Sequence, residues 1–210
     1  MTFDDVPLVD RHSAPAALRN REPILGVLKS VLPELGAVLE VGSGTGEHAA
    51  WFAPRLPHLV WQPTEANPDM HANISAWAAD SGADNILPPQ NLDVQNEVWP
   101  PAENLDDLIA VYASCVVHIA PWDVTEGLFR GAEKYLPSGG LLILYGPFAI
   151  DGEHTAPSNA QFDMFLRSRD PSWGVRDLND VTLLGESHEF ERKAIIEMPA
   201  NNLSLVFRRI

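Results

Sequence analysis

Residues 40–46 read Glu40-Val41-Gly42-Ser43-Gly44-Thr45-Gly46, and this stretch decides the fold. It follows a short apolar segment at residues 37–41 that is typical of a buried strand, and it precedes a helix predicted over residues 47–56. The alternating glycines are more than a tight turn needs, and they let a ligand lie against bare backbone. The stretch therefore predicts a strand–turn–helix unit that holds a ligand, with a turn that holds no ligand as the alternative.

The sequence on both sides repeats this alternation of strands and helices. Apolar runs bounded by Gly and Pro predict strands, and apolar residues at helical spacing predict helices. Such alternation favours a parallel sheet with crossover helices on both faces. The predicted strands cover residues 37–41, 59–65, part of 85–94, 108–112 and 141–145, and the predicted helices cover residues 23–32, 47–56, 69–81 and 124–135.

The end of the chain breaks this rhythm. Two helices near residues 159–169 and 177–188 precede strand-like runs at residues 192–197 and 204–209. The connection between these runs is too short for a parallel crossover, so they should pair antiparallel. The predicted fold is a Rossmann-like α/β fold with a mostly parallel seven-stranded sheet, helices on both faces and a C-terminal antiparallel hairpin.

We interpret residues 1–210 as one domain, a size at which a chain buries a good core. Within it, residues 1–23 are interpreted as an N-terminal arm or lid, of which the first twelve look like a loose acidic arm. Residues 146–190 are interpreted as a substrate-side insertion with helices.

Composition excludes several classes of function. Hydrophobic residues make up 45% of the chain and charged residues 20%, which is ordinary for a globular protein. No apolar run is long enough to span a bilayer, and the acidic N-terminus is not a signal peptide. The single cysteine permits neither an intrachain disulfide nor a cysteine-based metal site, so we predict no metal and a cytoplasmic location. A net charge of -15 opposes broad nucleic-acid binding.

The charge of the glycine-rich turn discriminates between ligands. The pattern Gly44-x-Gly46-x-x-Ala49 formally fits a dinucleotide fingerprint, so an NAD-dependent oxidoreductase is one alternative. NAD would place a pyrophosphate here, yet residues 40–50 contain no Lys or Arg. S-adenosylmethionine (SAM) carries an ammonium and a sulfonium and no phosphate, which suits an acidic turn. Glu40 could hold the ammonium directly or through water.

Two further acids follow at the ends of the next two strands. Glu65 lies about twenty residues beyond the last glycine, where an acid accepts hydrogen bonds from ribose hydroxyls. Asp93 could accept from an adenine amino group. Either acid could instead be a solvated strand end. The complete predicted cofactor-binding set is Glu40, Gly42, Ser43, Gly44, Gly46, Glu65, Ala66, Asp93, Val94 and Ser114.

The end of the fourth strand supplies candidates for catalysis. Ligands of open α/β sheets bind beyond the carboxyl ends of the strands, so His118 should lie beside the reacting methyl group. Histidine is a base near neutral pH, although a histidine packed at a helix start is an equal alternative. Tyr145 is the second catalytic candidate, and His12 and His154 are more distant ones.

The acceptor should be bound by segments outside the common core, at residues 11–23 and 146–176. Both contain arginines, which bind carboxylate or phosphate, so a small anionic molecule is favoured. The alternative is that these arginines pair with the many acids of the chain. The predicted substrate-binding residues are Arg19, Asn20, Trp122 and Asn159.

The acid-Gly-x-Gly-x-Gly turn, Glu65, Asp93 and the final hairpin resemble the class I SAM-dependent methyltransferases. Longer strings resemble the methyltransferase-like twenty-six family, a domain of unknown function. That resemblance implies the fold and the cofactor and does not settle the substrate. The strings lie at residues 11–15, 19–24, 145–148, 158–163, 169–174 and 198–203.

The sequence therefore predicts a SAM-dependent methyltransferase that acts on a small acceptor and releases S-adenosylhomocysteine. No membrane partner is expected, and the sequence carries no signal for an oligomeric state. The alternative from another class is a SAM-binding or nucleotide-binding regulatory or partner protein without catalysis.

Overall fold

A computed structural model describes residues 12–210, in which helices and strands alternate from the first helix onward. The predicted acidic arm lies almost wholly outside the described residues. The helices are α1 (Pro15–Val31), α2 (Glu47–Phe52), α3 (His71–Ser81), α4 (Pro100–Glu103), α5 (Trp122–Tyr135), α6 (Pro157–Arg169) and α7 (Leu178–Ser187). The strands are β1 (Gly36–Val41), β2 (Leu59–Glu65), β3 (Gln90–Asn91), β4 (Leu108–Ser114), β5 (Leu141–Gly146), β6 (Phe148–Ile150), β7 (Glu153–His154), β8 (Arg176–Asp177), β9 (Phe190–Met198) and β10 (Asn202–Arg209).

The main sheet has seven strands in the order β3-β2-β1-β4-β5-β10-β9. Strands β1 to β5 are parallel, whereas β10 runs antiparallel to both β5 and β9. The predicted fold class, with its C-terminal hairpin, is confirmed. Strands β1 to β3 form one half of the sheet and β4 begins the other half beside β1, so the strand order reverses between β1 and β4. Such a switch point opens a crevice at the carboxyl ends of the strands.

Each face of the sheet carries its own apolar core. One core joins α1 and α2 to the sheet and contains Phe52, Trp61 and Tyr112. The other lies under α5 and α7 and contains Trp99, Phe129 and Phe207. The strands are buried on both faces, so they read as nearly continuous apolar runs rather than as alternating ones.

Helix α1 begins eight residues before the predicted start. Its amphipathic pattern begins only at Ile24, because the first two turns bury little. Pro15 is the proline of the first turn, and Pro23 lies inside the helix. Pro23 has no N–H to donate to the carbonyl of Arg19, so the helix continues across this gap in its hydrogen bonding.

The segment after β5 contains a small three-stranded sheet in the order β7-β6-β8, which the sequence did not predict. Its strands are two or three residues long and carry no readable period. Helix α6 follows β7, and α7 begins directly after β8. No helix among the described residues has both the length and the apolar character to cross a membrane.

Candidate functional site

Two cavities lie at the carboxyl edge of the main sheet. The first, which we call the switch-point cavity, has a volume of about 350 Å³. The second, which we call the α1 cavity, has a volume of about 700 Å³ and lies between α1, the end of β5, the start of α6 and the tip of the β9–β10 hairpin. Cys115 lines both cavities, so they meet at this residue.

The switch-point cavity is lined by residues from the ends of β1, β2 and β4 and by the segment after β3. Its walls combine two carboxylates with apolar side chains, which is the composition of a small-molecule site. The lining residues are Val41, Gly42, Glu65, Ala66, Leu92, Asp93, Val94, Ser114, Cys115, Val116, Ile119, Ala120 and Val124.

The glycine-rich turn lies at the rim of this cavity, between β1 and α2. Gly46 has a φ of 91°, and a Cβ atom there would lie 2.7 Å from the Cα of Ile74 in α3, so a side chain is excluded by backbone. Gly44 has a φ of 55°, and a Cβ atom there would meet nothing within 4 Å. The surface beside Gly44 is therefore open to a ligand.

The carboxylate of Glu65 supports the turn and faces the cavity. Glu65 accepts from the backbone N–H of Gly44 at 2.9 Å and from that of Asn67 at 3.1 Å. Asp93 accepts from the N–H of Gln95 at 2.9 Å. Each carboxylate oxygen has a second lone pair, so both acids keep acceptors for a ligand in addition to these bonds.

Glu40 is placed differently from the prediction. It is 2% exposed and does not line the switch-point cavity. Trp61 Nε1 donates to its carboxylate at 2.9 Å, and burial raises the pKa of Glu40 to about 7. Ser43 also bonds to the Glu40 carboxylate, and its Oγ accepts from the N–H of Thr64. Direct contact with a ligand ammonium is therefore not supported, because Glu40 lies beneath the turn and fixes its position.

The α1 cavity brings together four residues that the sequence assigned to the acceptor or to catalysis: Arg19, Asn20, Tyr145 and Asn159. Tyr145 lies next to the Asn20 side chain and the Arg19 charge, which both favour its ionised form, but burial dominates and raises its pKa to about 12. Asn159 donates to the carbonyl of Asn201 at 2.9 Å and so joins α6 to the hairpin tip.

Cys115 is a residue that the sequence analysis missed. Its φ of 59° is unusual for a residue with a side chain, and its N–H donates to the carbonyl of Tyr145 at 2.7 Å. This conformation turns the chain sharply at the end of β4 and places the side chain between the two cavities. Burial raises the pKa of the thiol to about 11, so it is protonated at neutral pH. No pattern in the sequence indicates a positive φ at a cysteine.

His48 was also missed, and it lies between Asn20 of α1 and Tyr112 of β4. Its Nε2 lies 2.8 Å from Asn20 Oδ1, and its Nδ1 lies 3.4 Å from the hydroxyl of Tyr112. Since an amide oxygen only accepts, Nε2 carries the proton and Nδ1 is the acceptor. Burial lowers the pKa of His48 to about 4, so the ring is neutral and holds Asn20 in place. A single histidine in a short helix gives no sequence signal for this role.

The segment before α1 is fastened to the glycine-rich turn. The buried carboxylate of Glu47 accepts from Ser13 Oγ at 2.6 Å, from Ala14 N at 2.8 Å and from Thr45 Oγ1 at 2.6 Å. Asn73 bonds to both backbone groups of His12. Residues 12–20 are thereby held across the carboxyl edge of the sheet.

Two predicted residues lie elsewhere. His118 is completely buried and lines neither cavity, because its ring packs on Phe148 with the centroids 4.7 Å apart. Its Nδ1 accepts from the N–H of Arg176, and burial lowers its pKa to about 3. Trp122 lines a different cavity of about 780 Å³ beside Arg176. The base role of His118 and the acceptor role of Trp122 are corrected accordingly.

The other candidate bases either are protonated at neutral pH or lie outside the two site cavities. Tyr145, with its raised pKa, is a hydrogen-bond donor at neutral pH rather than a base. His154 lies 3.7 Å from Asp163 beside the third cavity, and His12 does not line either site cavity. No cluster of three or more metal-ligating side chains occurs within residues 12–210.

Solved structures with the same fold include methyltransferases of low sequence identity. The mitomycin 7-O-methyltransferase MmcR has a TM-score of 0.76 and 18% identity over 93% of this chain and 54% of its own. An O-methyltransferase family protein from Burkholderia thailandensis has a TM-score of 0.75 and 15% identity over 92% of this chain and 57% of its own. CalO1, a methyltransferase in calicheamicin biosynthesis solved in its SAH-bound form, has a TM-score of 0.72 and 14% identity over 90% of this chain and 54% of its own.

The chain spans about half the length of these neighbours, and at this identity they establish the fold alone. The resemblance to the methyltransferase-like twenty-six family is not confirmed by them and stays a prediction. A family model covers nearly the whole chain, at residues 11–209. The chain belongs to the family described as "Protein of unknown function (DUF938)".

Proposed function

We propose that this protein transfers a methyl group from SAM to a small molecule. The observation that carries the proposal is the junction of the two cavities at Cys115. A methyl transfer needs a cofactor site and an acceptor site whose reacting atoms meet in line, and the two cavities meet at the switch point of the sheet. Similarly folded proteins such as MmcR and CalO1 are methyltransferases, which supports the same reaction class.

The switch-point cavity is the proposed cofactor site. Its apolar walls at Leu92, Val94 and Val124 suit the flat face of adenine. Asp93 would accept from the adenine amino group, and Glu65 would accept from the ribose hydroxyls with the lone pairs that Gly44 and Asn67 leave free. The remaining predicted set, Gly42, Ser43, Gly44, Gly46, Ala66 and Ser114, would provide the turn and the cavity floor, with Glu40 fixing the turn from beneath.

The rival functions fit this geometry less well. None of the described residues that line the switch-point cavity is Lys or Arg, so an NAD pyrophosphate would have no cation there. A protein that merely binds SAM has no need of a second cavity of about 700 Å³ that adjoins the first at Cys115. The paired cavities thus favour a transferase.

The α1 cavity is the proposed acceptor site, and residues 12–22 are its proposed lid. Arg19 and Asn20 enter the cavity from α1, while Asn159 enters from α6 in the insertion at residues 146–190. Arg19 forms no ion pair with any carboxylate of the described residues, so its charge is available to an anionic acceptor. Closure by the lid would exclude water from the reacting atoms.

Bound SAM would supply an activated methyl group, so the protein mainly has to align the acceptor. Asn20 and Tyr145 would orient it by hydrogen bonds, and His48 would hold Asn20 in position. Alignment of this kind lowers a barrier by several kcal/mol, up to roughly 7–11 kcal/mol in favourable cases.

Calorimetry tests the cofactor assignment. S-adenosylhomocysteine is expected to bind with a micromolar Kd, about -8 kcal/mol, and NAD far more weakly. Tighter binding of NAD would refute the assignment. Transfer of label from SAM carrying a radioactive methyl group then distinguishes an enzyme from a binding protein.

Two matched glycine variants locate the cofactor. Gly44 and Gly82 have positive φ values of 55° and 66°, and at both a Cβ would meet nothing within 4 Å. Valine at either position therefore introduces similar backbone strain, but only Gly44 bonds to Glu65, whose carboxylate lines the switch-point cavity. Gly44→Val should weaken S-adenosylhomocysteine binding while Gly82→Val does not. Equal affinities in the two folded variants would show that the ligand binds elsewhere.

A further inference from the structure

A site that methylates a protonated group needs a side chain that can accept the proton. The described titratable side chains of the α1 cavity do not include one. Its walls come from α1, the turn after β4, the end of β5, α6 and the hairpin tip. Among the described lining residues, the titratable side chains are Arg19, Cys115 and Tyr145. The described part of the cavity wall therefore has one permanent cation and no carboxylate, histidine or lysine.

Neither of the two weak acids in this cavity can take a proton at neutral pH. Burial raises the pKa of the Cys115 thiol to about 11 and that of the Tyr145 hydroxyl to about 12, so both are already protonated. The neighbouring histidine, His48, lies behind Asn20, whose amide oxygen occupies its Nε2, and it does not line the cavity. Among residues 12–210, an acceptor in this cavity therefore meets hydrogen-bond donors and no general base.

The other arginines near the site have partners. Arg21 lies over the ring of Trp51 at 3.7 Å, and Arg167 donates to Asp163 at 2.9 Å. Arg176 donates to backbone carbonyls. Arg19, by contrast, is exposed, lines the cavity and acts electrostatically on the Tyr145 hydroxyl, as Cys115 also does.

Resting on the function proposed above, we infer that the acceptor is a small carboxylic acid and that the atom methylated is a carboxylate oxygen, held by Arg19 and by the donors of Asn20 and Tyr145. A carboxylate is deprotonated at neutral pH and needs no base, whereas an alcohol, phenol, thiol or ammonium must lose a proton. A planar guanidinium also matches a carboxylate with two parallel hydrogen bonds.

The reaction balances without a proton acceptor. The carboxylate oxygen forms a bond to the methyl carbon, the bond from that carbon to sulfur breaks, and its electron pair stays on sulfur. The sulfonium becomes a neutral thioether, the acid becomes a neutral methyl ester, and no proton is released. Because the ester has lost its charge, it binds Arg19 more weakly than the acid did, which promotes product release. Pro23, Pro147 and Phe162 provide apolar surface for the body of the acid.

The chemical stability of the methylated product tests this inference. The protein is incubated with SAM carrying a radioactive methyl group, a total small-molecule extract of cells, and a panel of carboxylic acids with matched alcohols, phenols, amines and thiols. Products are then treated with mild alkali, which releases volatile methanol from methyl esters and leaves methyl ethers, amines and thioethers intact. We expect the label to appear as volatile methanol.

Each other outcome has a distinct meaning. Label in alkali-stable products overturns the carboxylate inference and leaves the methyltransferase proposal standing. Calorimetric binding of S-adenosylhomocysteine without any transfer overturns both the inference and catalysis, in favour of a binding protein. Absence of binding and of transfer overturns the proposed function as a whole.

Variants of Arg19 supply a second readout. Arg19→Ala should lower kcat/KM for the acid about ten- to a hundredfold, the loss expected for a charged hydrogen bond, while the Kd of S-adenosylhomocysteine is unchanged. Arg19→Lys should recover part of this loss. Arg208→Ala is the matched control, because Arg208 pairs with Glu191 at the opposite edge of the sheet. Equal kcat/KM values for Arg19→Ala and Arg208→Ala would contradict the assignment.

Discussion

The carboxylate of Glu47 ties the proposed lid to the glycine-rich turn, and replacing Glu47 by alanine should release the lid. Glu47 is 1% exposed and accepts three short hydrogen bonds. Two of the donors, Ser13 Oγ and Ala14 N, belong to the lid, and the third, Thr45 Oγ1, belongs to the turn. Alanine removes the acceptor of all three donors.

The size of the effect follows from these bonds. A hydrogen bond to a charged group contributes about 1.5–3 kcal/mol, so the two lid bonds hold the lid with roughly 3–6 kcal/mol. Ser13 and Ala14 are partly solvent-accessible, and water can take up the freed donors, so the lower end applies. A loss of about 3 kcal/mol raises the population of the open lid about a hundredfold. The two bonds between Asn73 and His12 remain and keep the segment near the site.

Hydrogen exchange measures this opening without knowledge of the acceptor. The amides of residue 14 and of residues 16–20 should exchange about a hundredfold faster in Glu47→Ala than in the wild type, both with S-adenosylhomocysteine present. Glu47→Gln should have a smaller effect, since its amide oxygen can still accept from Ala14 and Thr45. Glu103→Ala is the control, because Glu103 accepts from Tyr135 at 3.2 Å on the other face of the sheet. Unchanged exchange in a folded Glu47→Ala protein would refute the anchoring argument.

Three further predictions follow from the same geometry. Glu65→Ala should weaken S-adenosylhomocysteine binding about ten- to a hundredfold by calorimetry, because it removes the proposed ribose acceptor, and an unchanged Kd would place the ribose elsewhere. Burial raises the pKa of Glu40 from 4.5 to about 7, so the folded protein holds its proton more tightly than the unfolded chain. The wild type should therefore lose roughly 3 kcal/mol of unfolding free energy relative to Glu40→Gln as the pH rises from 4.5 to beyond 7; urea titrations that give a constant difference would show that Glu40 is not desolvated. Deleting residues 1–22 should abolish methyl transfer and keep most of the cofactor affinity, and persistent transfer would exclude the lid.

The sequence by itself determined the main sheet, and it predicted that the candidate site lies at the carboxyl edge of that sheet. The strand at residues 37–41, the glycine-rich turn and the following helix form a local pattern whose geometry leaves few alternatives. The short link at residues 198–203 can only join antiparallel strands, so the C-terminal hairpin was predictable too. Glu65 and Asp93 were found because acids at the ends of parallel strands must meet at one edge of the sheet.

The tertiary structure alone decided the chemistry of the site. His118 and Trp122 follow the expected strand, but His118 bonds to the N–H of Arg176 in β8 and Trp122 lines the cavity beside Arg176, so neither lines the two site cavities. The start of α1 was misread because its first two turns bury little and carry no apolar period. The role of Cys115 arises from a positive φ, and that of His48 arises from a hydrogen bond between α1 and α2. Neither leaves a local signal, because sequence periodicity reports which face of an element is buried and not which distant side chains that burial brings together.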